Sequence, residues 1–89
     1  MANLPAIVRA TRASANALSA MARHARAAAD ASGTMAHNYR MLAAGHITAD
    51  AAAMGNRIAA ANKLAAMHAW RRASRRFDAA QITLANNPI

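Results

Sequence analysis

Apolar side chains recur at helical spacing through the first third of the chain. When successive residues are placed about 100° apart around a helix axis, Leu4, Leu18 and Met21 fall on one side and arginines fall on the other. The apolar side is heptad-like, but Thr11 and Ser14 interrupt it, so it predicts a packing face and only a weak coiled-coil seam. This run comprises positions 4, 7, 11, 14, 18, 21 and 25.

Capping and stop residues set the limits of the predicted helices. Asn3 can cap a first helix, which the segment Asp-Ala-Ser-Gly at 30–33 closes. Thr34 can cap a short second helix, and Gly45 stops it. Thr48 is the expected N-cap of a third helix, which no residue interrupts decisively for about thirty positions.

The predicted architecture is all-α and forms a single small domain of residues 1–89. Its elements are helices over about 4–29, 35–44 and 48–80 and an irregular tail over 81–89. These long, short and long helices predict an open helical hairpin whose third helix projects as an extension beyond the other two.

The apolar stripe of the third helix drifts around its axis faster than a heptad does. Met54 lies on one side, whereas Trp70 and Phe77 lie nearly opposite. We therefore expect the segment 54–64 to pack against the first two helices and the later residues to contact another chain. The predicted protein interface comprises Met67, Trp70, Phe77, Ile82 and Leu84. In the alternative interpretation, the helix bends or breaks near Gly55 and everything folds into one bundle.

Positive charge is the strongest chemical signal of the sequence. Eleven Lys and Arg against three Asp give a formal net charge of +8, and ten of the eleven basic residues are arginine. Arginine binds phosphate or carboxylate through two parallel hydrogen bonds, which favours a polyanionic or acidic partner. The candidate binding residues are Arg9, Arg12, Arg23, Arg26, Arg57, Arg71, Arg72, Arg75 and Arg76.

Three interpretations of the arginine cluster at 71–76 stay open. The cluster is a solvated charged face, a face that tracks nucleic-acid phosphates, or a patch that docks on an acidic protein surface. A membrane surface is disfavoured, because the apolar side of the first helix is mostly alanine and hydroxyl residues, which insert poorly.

The chain is small, and its hydrophobic residues are largely alanine. With 89 residues and only one Trp, one Tyr and one Phe, it buries little apolar area per residue. We expect marginal stability for the isolated chain, and therefore a fold that partner molecules stabilise.

No catalytic or metal-binding pattern is present in the sequence. There is no cysteine, the four histidines at 24, 37, 46 and 68 lack ligand spacing, and the three aspartates are far apart. No serine stands in a nucleophile elbow, and three glycines do not form a phosphate loop. We expect no enzyme activity, no metal and no cofactor, and neither a transmembrane segment nor a targeting peptide. The localisation is not indicated.

These features favour a non-catalytic, basic structural subunit that packs into a larger protein or nucleoprotein assembly, with other protein subunits, of the same or another chain, as partners. The Ala-, Arg- and Met-rich composition resembles small accessory proteins of phage particles and nucleoprotein assemblies, which implies a virion as one setting, but no motif carries this resemblance. A sequence-independent binder of the DNA or RNA backbone is the alternative. A small inhibitor that docks in an acidic protein groove is a further alternative.

Overall fold

The computed structural model, which describes residues 2–88, is a hairpin of two long helices. Helix α1 spans Leu4–Ala43 and helix α2 spans Ala49–Ala85. The prediction of an all-α helical hairpin is therefore confirmed. The prediction of three helices, with a short middle helix and a projecting third, is wrong, because α1 has 40 residues and α2 has 37.

Helix α1 continues through the segment where two helices were predicted to meet. Gly33 is helical, and Thr34 donates its hydroxyl to the Asp30 carbonyl oxygen at 3.1 Å, so it back-bonds within the helix instead of capping a new one. Glycine inside a helix costs about 1 kcal/mol relative to alanine. Buried Ala31 and half-buried Met35 lie on either side of this glycine on the packed face, so packing offsets that cost.

The predicted caps are confirmed where the chain turns. Gly45 has a positive φ of 76°, which suits glycine, and its N–H donates to the Leu42 carbonyl oxygen at 3.0 Å. Thr48 accepts a hydrogen bond on its hydroxyl oxygen from the Ala51 N–H at 3.1 Å. At the start of α1, Asn3 accepts one from the Ala6 N–H at 3.1 Å. At its other end, α2 continues to Ala85, into the predicted irregular tail.

The chain divides into two compact units. The terminal unit comprises the residues up to Arg23 and those from Ala69 onward, and the loop unit comprises His24–His68. Both units contain a part of α1 and a part of α2.

The core of the terminal unit is built from small residues. Ala73 is fully buried at 0% exposure, and Gln81 donates a hydrogen bond to the buried Ser14 hydroxyl oxygen at 3.0 Å. Alanine at such a contact lets two helices approach closely, while longer side chains at neighbouring positions cover the contact from the side. Phe77 and Leu84 are half-buried in this way. The buried alanines of this unit are Ala10, Ala17, Ala20, Ala73 and Ala80.

The core of the loop unit follows the same rule. Its buried residues are Ala31, Ala52, Ala59 and Ala66. Near the turn, Asn38 donates a side-chain hydrogen bond to the Asn56 side-chain oxygen at 3.1 Å. A polar pair at the contact of two helices fixes their register, since any slip would leave both amides unpaired. Helix α2 continues unbroken through Gly55, so the alternative of a break there is wrong.

The expected packing of α2 is also wrong. Met54, Ile58 and Leu64 were predicted to pack inside, but each is more than half exposed. Phe77, predicted to face another chain, is half-buried, and Trp70 is 39% exposed. The reason is the alanine repeat. Alanine at every seventh position sets the fully packed side of α2, and the large apolar residues at 54, 58 and 64 lie about 100° or more away from it around the helix axis.

Candidate functional site

The large apolar side chains of the loop unit form an exposed surface on α2. We call the residues Ala51, Met54, Ile58, Ala61 and Ala65 the outer stripe. They are spaced alternately three and four residues apart, so they share one side of the helix, and all five are exposed. Leu64 lies beside the outer stripe and is also exposed. This surface was missed at the sequence level because these side chains were assigned to the core.

A second exposed apolar surface lies on α1 in the terminal unit. Leu4, Val8 and Leu18 are exposed, with Thr11 and Ala15 between them at the same helical spacing. Leu4 and Leu18 were predicted to belong to the packing face of the first helix. That prediction is wrong, because the buried positions of this part of α1 are occupied by alanine and Ser14.

The predicted interface residues divide between exposed and half-buried positions. Met67, Trp70 and Ile82 are exposed, and Phe77 and Leu84 are half-buried. Met67 belongs to the loop unit, and the other four belong to the terminal unit. Their role as an interface remains a prediction.

Every candidate arginine is exposed. The terminal unit carries seven arginines against one aspartate, a formal charge of +6, and the loop unit carries four basic residues against two aspartates, a charge of +2. The sequence thus places three quarters of the net charge in one unit. The seven are Arg9, Arg12, Arg23, Arg71, Arg72, Arg75 and Arg76, and the four are Arg26, Arg40, Arg57 and Lys63.

Each unit also contains a shallow groove lined by both of its helical segments. The groove of the loop unit has a volume of about 410 Å³ and is lined by Ala27, Asp30, Ala31, Thr34, Gly55, Ile58, Ala59 and Asn62. That of the terminal unit has a volume of about 320 Å³ and is lined by Ala6, Arg9, Ala10, Ala13, Ala80 and Thr83. Alanine and glycine make up four of the eight residues of the first lining and four of the six of the second, and such small residues leave room for side chains from another helix.

The part of the chain that the structure describes contains no group of three or more His, Cys, Asp or Glu side chains able to hold a metal ion. Neither α1 nor α2 contains a stretch apolar enough to span a bilayer. Within residues 2–88, no buried side-chain nitrogen or oxygen lacks a hydrogen-bond partner. Exposed apolar side chains and exposed guanidinium groups are prominent on the described surface.

No protein-family model matches the sequence, and no curated protein or solved structure shows significant similarity to it. Function is therefore inferred from the chain's own residues.

Proposed function

We propose that this protein is a non-catalytic, basic assembly subunit that packs into a larger protein or nucleoprotein complex through helix–helix contacts. One observation carries the proposal: its buried core consists of alanines and one serine, whereas most of its large apolar side chains are exposed. A soluble monomer commonly buries most of its large apolar side chains in its core. Partner surfaces that cover them complete the core that the chain alone lacks.

The energy available from covering these side chains is large for a chain of this size. Fully burying a Val, Leu, Ile or Met side chain gains about 1.5–3 kcal/mol, and Leu4, Met54 and Ile58 each still have more than half of their surface in water. Each of them can therefore add about 1 kcal/mol on association. The total stability of a small domain is only about 5–15 kcal/mol, so covering several of them changes it substantially.

The exposed area of the chain supports the same conclusion. A compact monomer of 9.3 kDa is expected to expose about 5,000 Å². This chain exposes 6307 Å². The difference of about 1,300 Å² shows that this chain buries less of its surface on itself than a compact monomer of the same mass does.

The test is the native mass of the purified chain at low and high salt, with absorbance at 260 nm recorded on the same sample. We expect a mass above the 9.3 kDa of one chain, from protein subunits or from nucleic acid that stays bound. A 9.3 kDa monomer at both salt concentrations, free of nucleic acid, would contradict the proposal.

A second candidate function, sequence-independent binding of the nucleic-acid backbone, is favoured by the charge of +6 in the terminal unit. Each phosphate that an arginine contacts releases counterions, so affinity for a duplex falls linearly on a log–log plot against salt, with a slope of about −0.9 per contact. In this interpretation the four arginines on α2 between residues 71 and 76 contact phosphates directly.

The experiment compares two variants that lose the same charge. Changing Arg71, Arg72, Arg75 and Arg76 to Gln is expected to reduce the salt slope by about 3 to 4, since up to four contacts are lost. The control changes Arg26, Arg40, Arg57 and Lys63 to Gln in the loop unit and is expected to reduce it much less. Equal effects of both variants would indicate a diffuse field with no phosphate-binding face, and no duplex affinity at low salt would eliminate this candidate.

A further inference from the structure

We infer that one side of the terminal unit binds the phosphate backbone of a double-stranded nucleic acid, through arginines that both helices place beside the groove of that unit. The inference rests on the second candidate function and deepens it, because it names a duplex as the partner and selects the arginines that contact it. They are Arg9 and Arg23 of α1 and Arg72 and Arg76 of α2, and all four are exposed.

The groove of the terminal unit shows which arginines share a side. Arg9 lines it from α1, and Thr83 lines it from α2. Buried alanines recur every seventh position along α2 and at 10 and 17 on α1, so residues seven apart keep the same side in this helix pair. Arg23 follows Arg9 by fourteen residues, and Arg76 precedes Thr83 by seven. Both therefore lie on the groove side, and Arg72 lies one turn before Arg76 on that side.

The register of the two antiparallel helices brings these arginines together. It is set by the hydrogen bond from Gln81 to Ser14. Nine residues further along α1 and nine residues back along α2, Arg23 and Arg72 lie at the same level, and Arg76 lies one turn nearer the chain ends. On α1 the groove-side arginines extend over fourteen residues, or about 21 Å. That length corresponds to about six phosphates of one strand at 3.4 Å each.

The groove side carries charge that its own unit does not balance. The one aspartate of the terminal unit, Asp78, follows Arg71 by seven residues and Arg75 by three, so it shares their side of α2. Arg71 and Arg75 lie about 100° or more around the axis from Arg76. Among the described residues of the terminal unit, the groove side therefore presents four guanidinium groups and no carboxylate, which favours an anionic partner.

The other residues of the groove side favour a nucleic acid over an acidic protein. The positions taken alternately three and four apart from Ala6 to Arg23 and from Ala69 to Thr83 hold only alanine, arginine, asparagine and threonine. Protein interfaces have an apolar centre rich in aromatic residues, whereas interfaces with nucleic acid are more polar and more positively charged. Single strands are bound by stacking of their bases on aromatic side chains, and these positions hold none. A duplex backbone fits this chemistry best.

The first experiment measures the affinity of the full chain for a short DNA duplex of arbitrary sequence at several salt concentrations. Changing Arg72 and Arg76 together to Gln should reduce the slope of log K against log salt by about 2, at roughly 0.9 per lost contact. The matched control changes Arg71 and Arg75 to Gln, which removes the same charge from the same turns of α2. It should change the slope by less than about 0.5. Glutamine is as good a helix former as arginine, so both variants should keep the helical circular dichroism of wild type.

The same assay tests the contribution of α1. Changing Arg9 and Arg23 together to Gln should also reduce the slope by about 2, although neither residue belongs to the cluster at 71–76. The inference assigns only two contacts to that cluster. Its fourfold Gln variant should therefore lose about 2 from the slope, instead of the 3 to 4 expected if all four arginines contact phosphates.

A second measurement locates the duplex without removing charge. Ala13 and Ala15 are both exposed on α1, but Ala13 lines the groove and Ala15 lies about 160° away around the axis. The chain contains no cysteine, so each of the variants Ala13→Cys and Ala15→Cys has a single thiol. Bound duplex should slow alkylation of the thiol at position 13 and leave that at position 15 largely unchanged. Equal protection of both thiols, or equal protection of position 13 by polyglutamate of the same charge concentration, would overturn the inference.

The outcomes separate this inference from the candidate function on which it rests. Equal salt slopes for the Arg72/Arg76 and Arg71/Arg75 variants, or tighter binding of a single strand than of the duplex, would overturn the groove side as a duplex-binding face and leave nucleic-acid binding in place. No affinity for the duplex at low salt would overturn both. The native mass of the chain would still decide the assembly function.

Discussion

The alanine core predicts that a larger side chain at a buried alanine will lower the free energy of unfolding. Ala73 has no exposed surface, and it lies in the terminal unit where α1 contributes Ala17 and Ala20 to the same core. Replacing Ala73 with leucine adds three carbon atoms at a position that the structure leaves no room for. The substitution keeps a good helix former, so its effect on the free energy of unfolding reports packing and not helix propensity.

Two physical effects of opposite sign compete in Ala73→Leu. If the helices could accommodate the side chain, burial of three more carbons would stabilise the protein by about 2 kcal/mol, at roughly 0.8 kcal/mol each. If the close contact is required, overpacking destabilises it by about 1–3 kcal/mol. Because Ala73 is fully buried, we expect destabilisation, which for a chain of this length lowers Tm by about 5–20 °C.

The assay is urea and thermal unfolding followed by circular dichroism at several protein concentrations. The control is Ala79→Leu, in the same helix and unit but exposed, which should change the free energy of unfolding by less than about 0.5 kcal/mol. A variant Ala73→Leu that is more stable than wild type, with an unchanged denaturant slope, would refute the close alanine contact.

Three further predictions concern stability. Gly33→Ala should raise the free energy of unfolding by about 1 kcal/mol in urea unfolding, since nothing lies within 4 Å of the added methyl group. Gly55→Ala should not raise the free energy of unfolding. At Gly55 the added carbon would lie 2.8 Å from the Asn38 side-chain nitrogen, which must then shift and weaken its hydrogen bond to Asn56. A stabilised Gly55→Ala would contradict this. Thr48→Ala should lower the free energy of unfolding by about 1 kcal/mol in the same assay, since it leaves the Ala51 N–H without its acceptor. Thr48→Ser keeps the hydroxyl oxygen and should retain most of the wild-type free energy of unfolding. If association completes the core, the Tm of wild type should rise with protein concentration in calorimetry, and a Tm independent of concentration would count against it.

Local signals were sufficient to predict the ends of the helices at the turn. Gly45 and Thr48 act through hydrogen bonds to neighbouring residues, so their roles can be inferred from a few adjacent positions. The continuity of α1 could not be predicted in this way. At Gly33 the local preference for ending a helix is outweighed by the contacts of Ala31 and Met35 with the rest of the loop unit, and those contacts depend on the tertiary fold.

The candidate surfaces were predicted only in part. The exposure of the arginines follows from their cost of burial, so it could be expected from composition. The outer stripe was missed because large apolar residues such as Met54 and Ile58 were taken as the markers of the core. The signal that identifies the packed side of α2 is alanine at every seventh position, namely 52, 59, 66, 73 and 80, all of them buried.

The alanine repeat also limits how much apolar area the chain buries when it folds. Alanine allows the two helices to approach closely, but each methyl group buries little apolar area, so the chain gains less from its own folding than a leucine core would supply. The same choice leaves large side chains such as Met54, Ile58 and Leu4 outside, where they contribute only when another surface covers them. The arginines of the terminal unit have one aspartate among them, so most of their charge is not balanced within the unit. The alanine-lined contact therefore accounts for the small buried apolar area and for the exposed apolar side chains, while the arginines of the terminal unit form a separate, cationic surface.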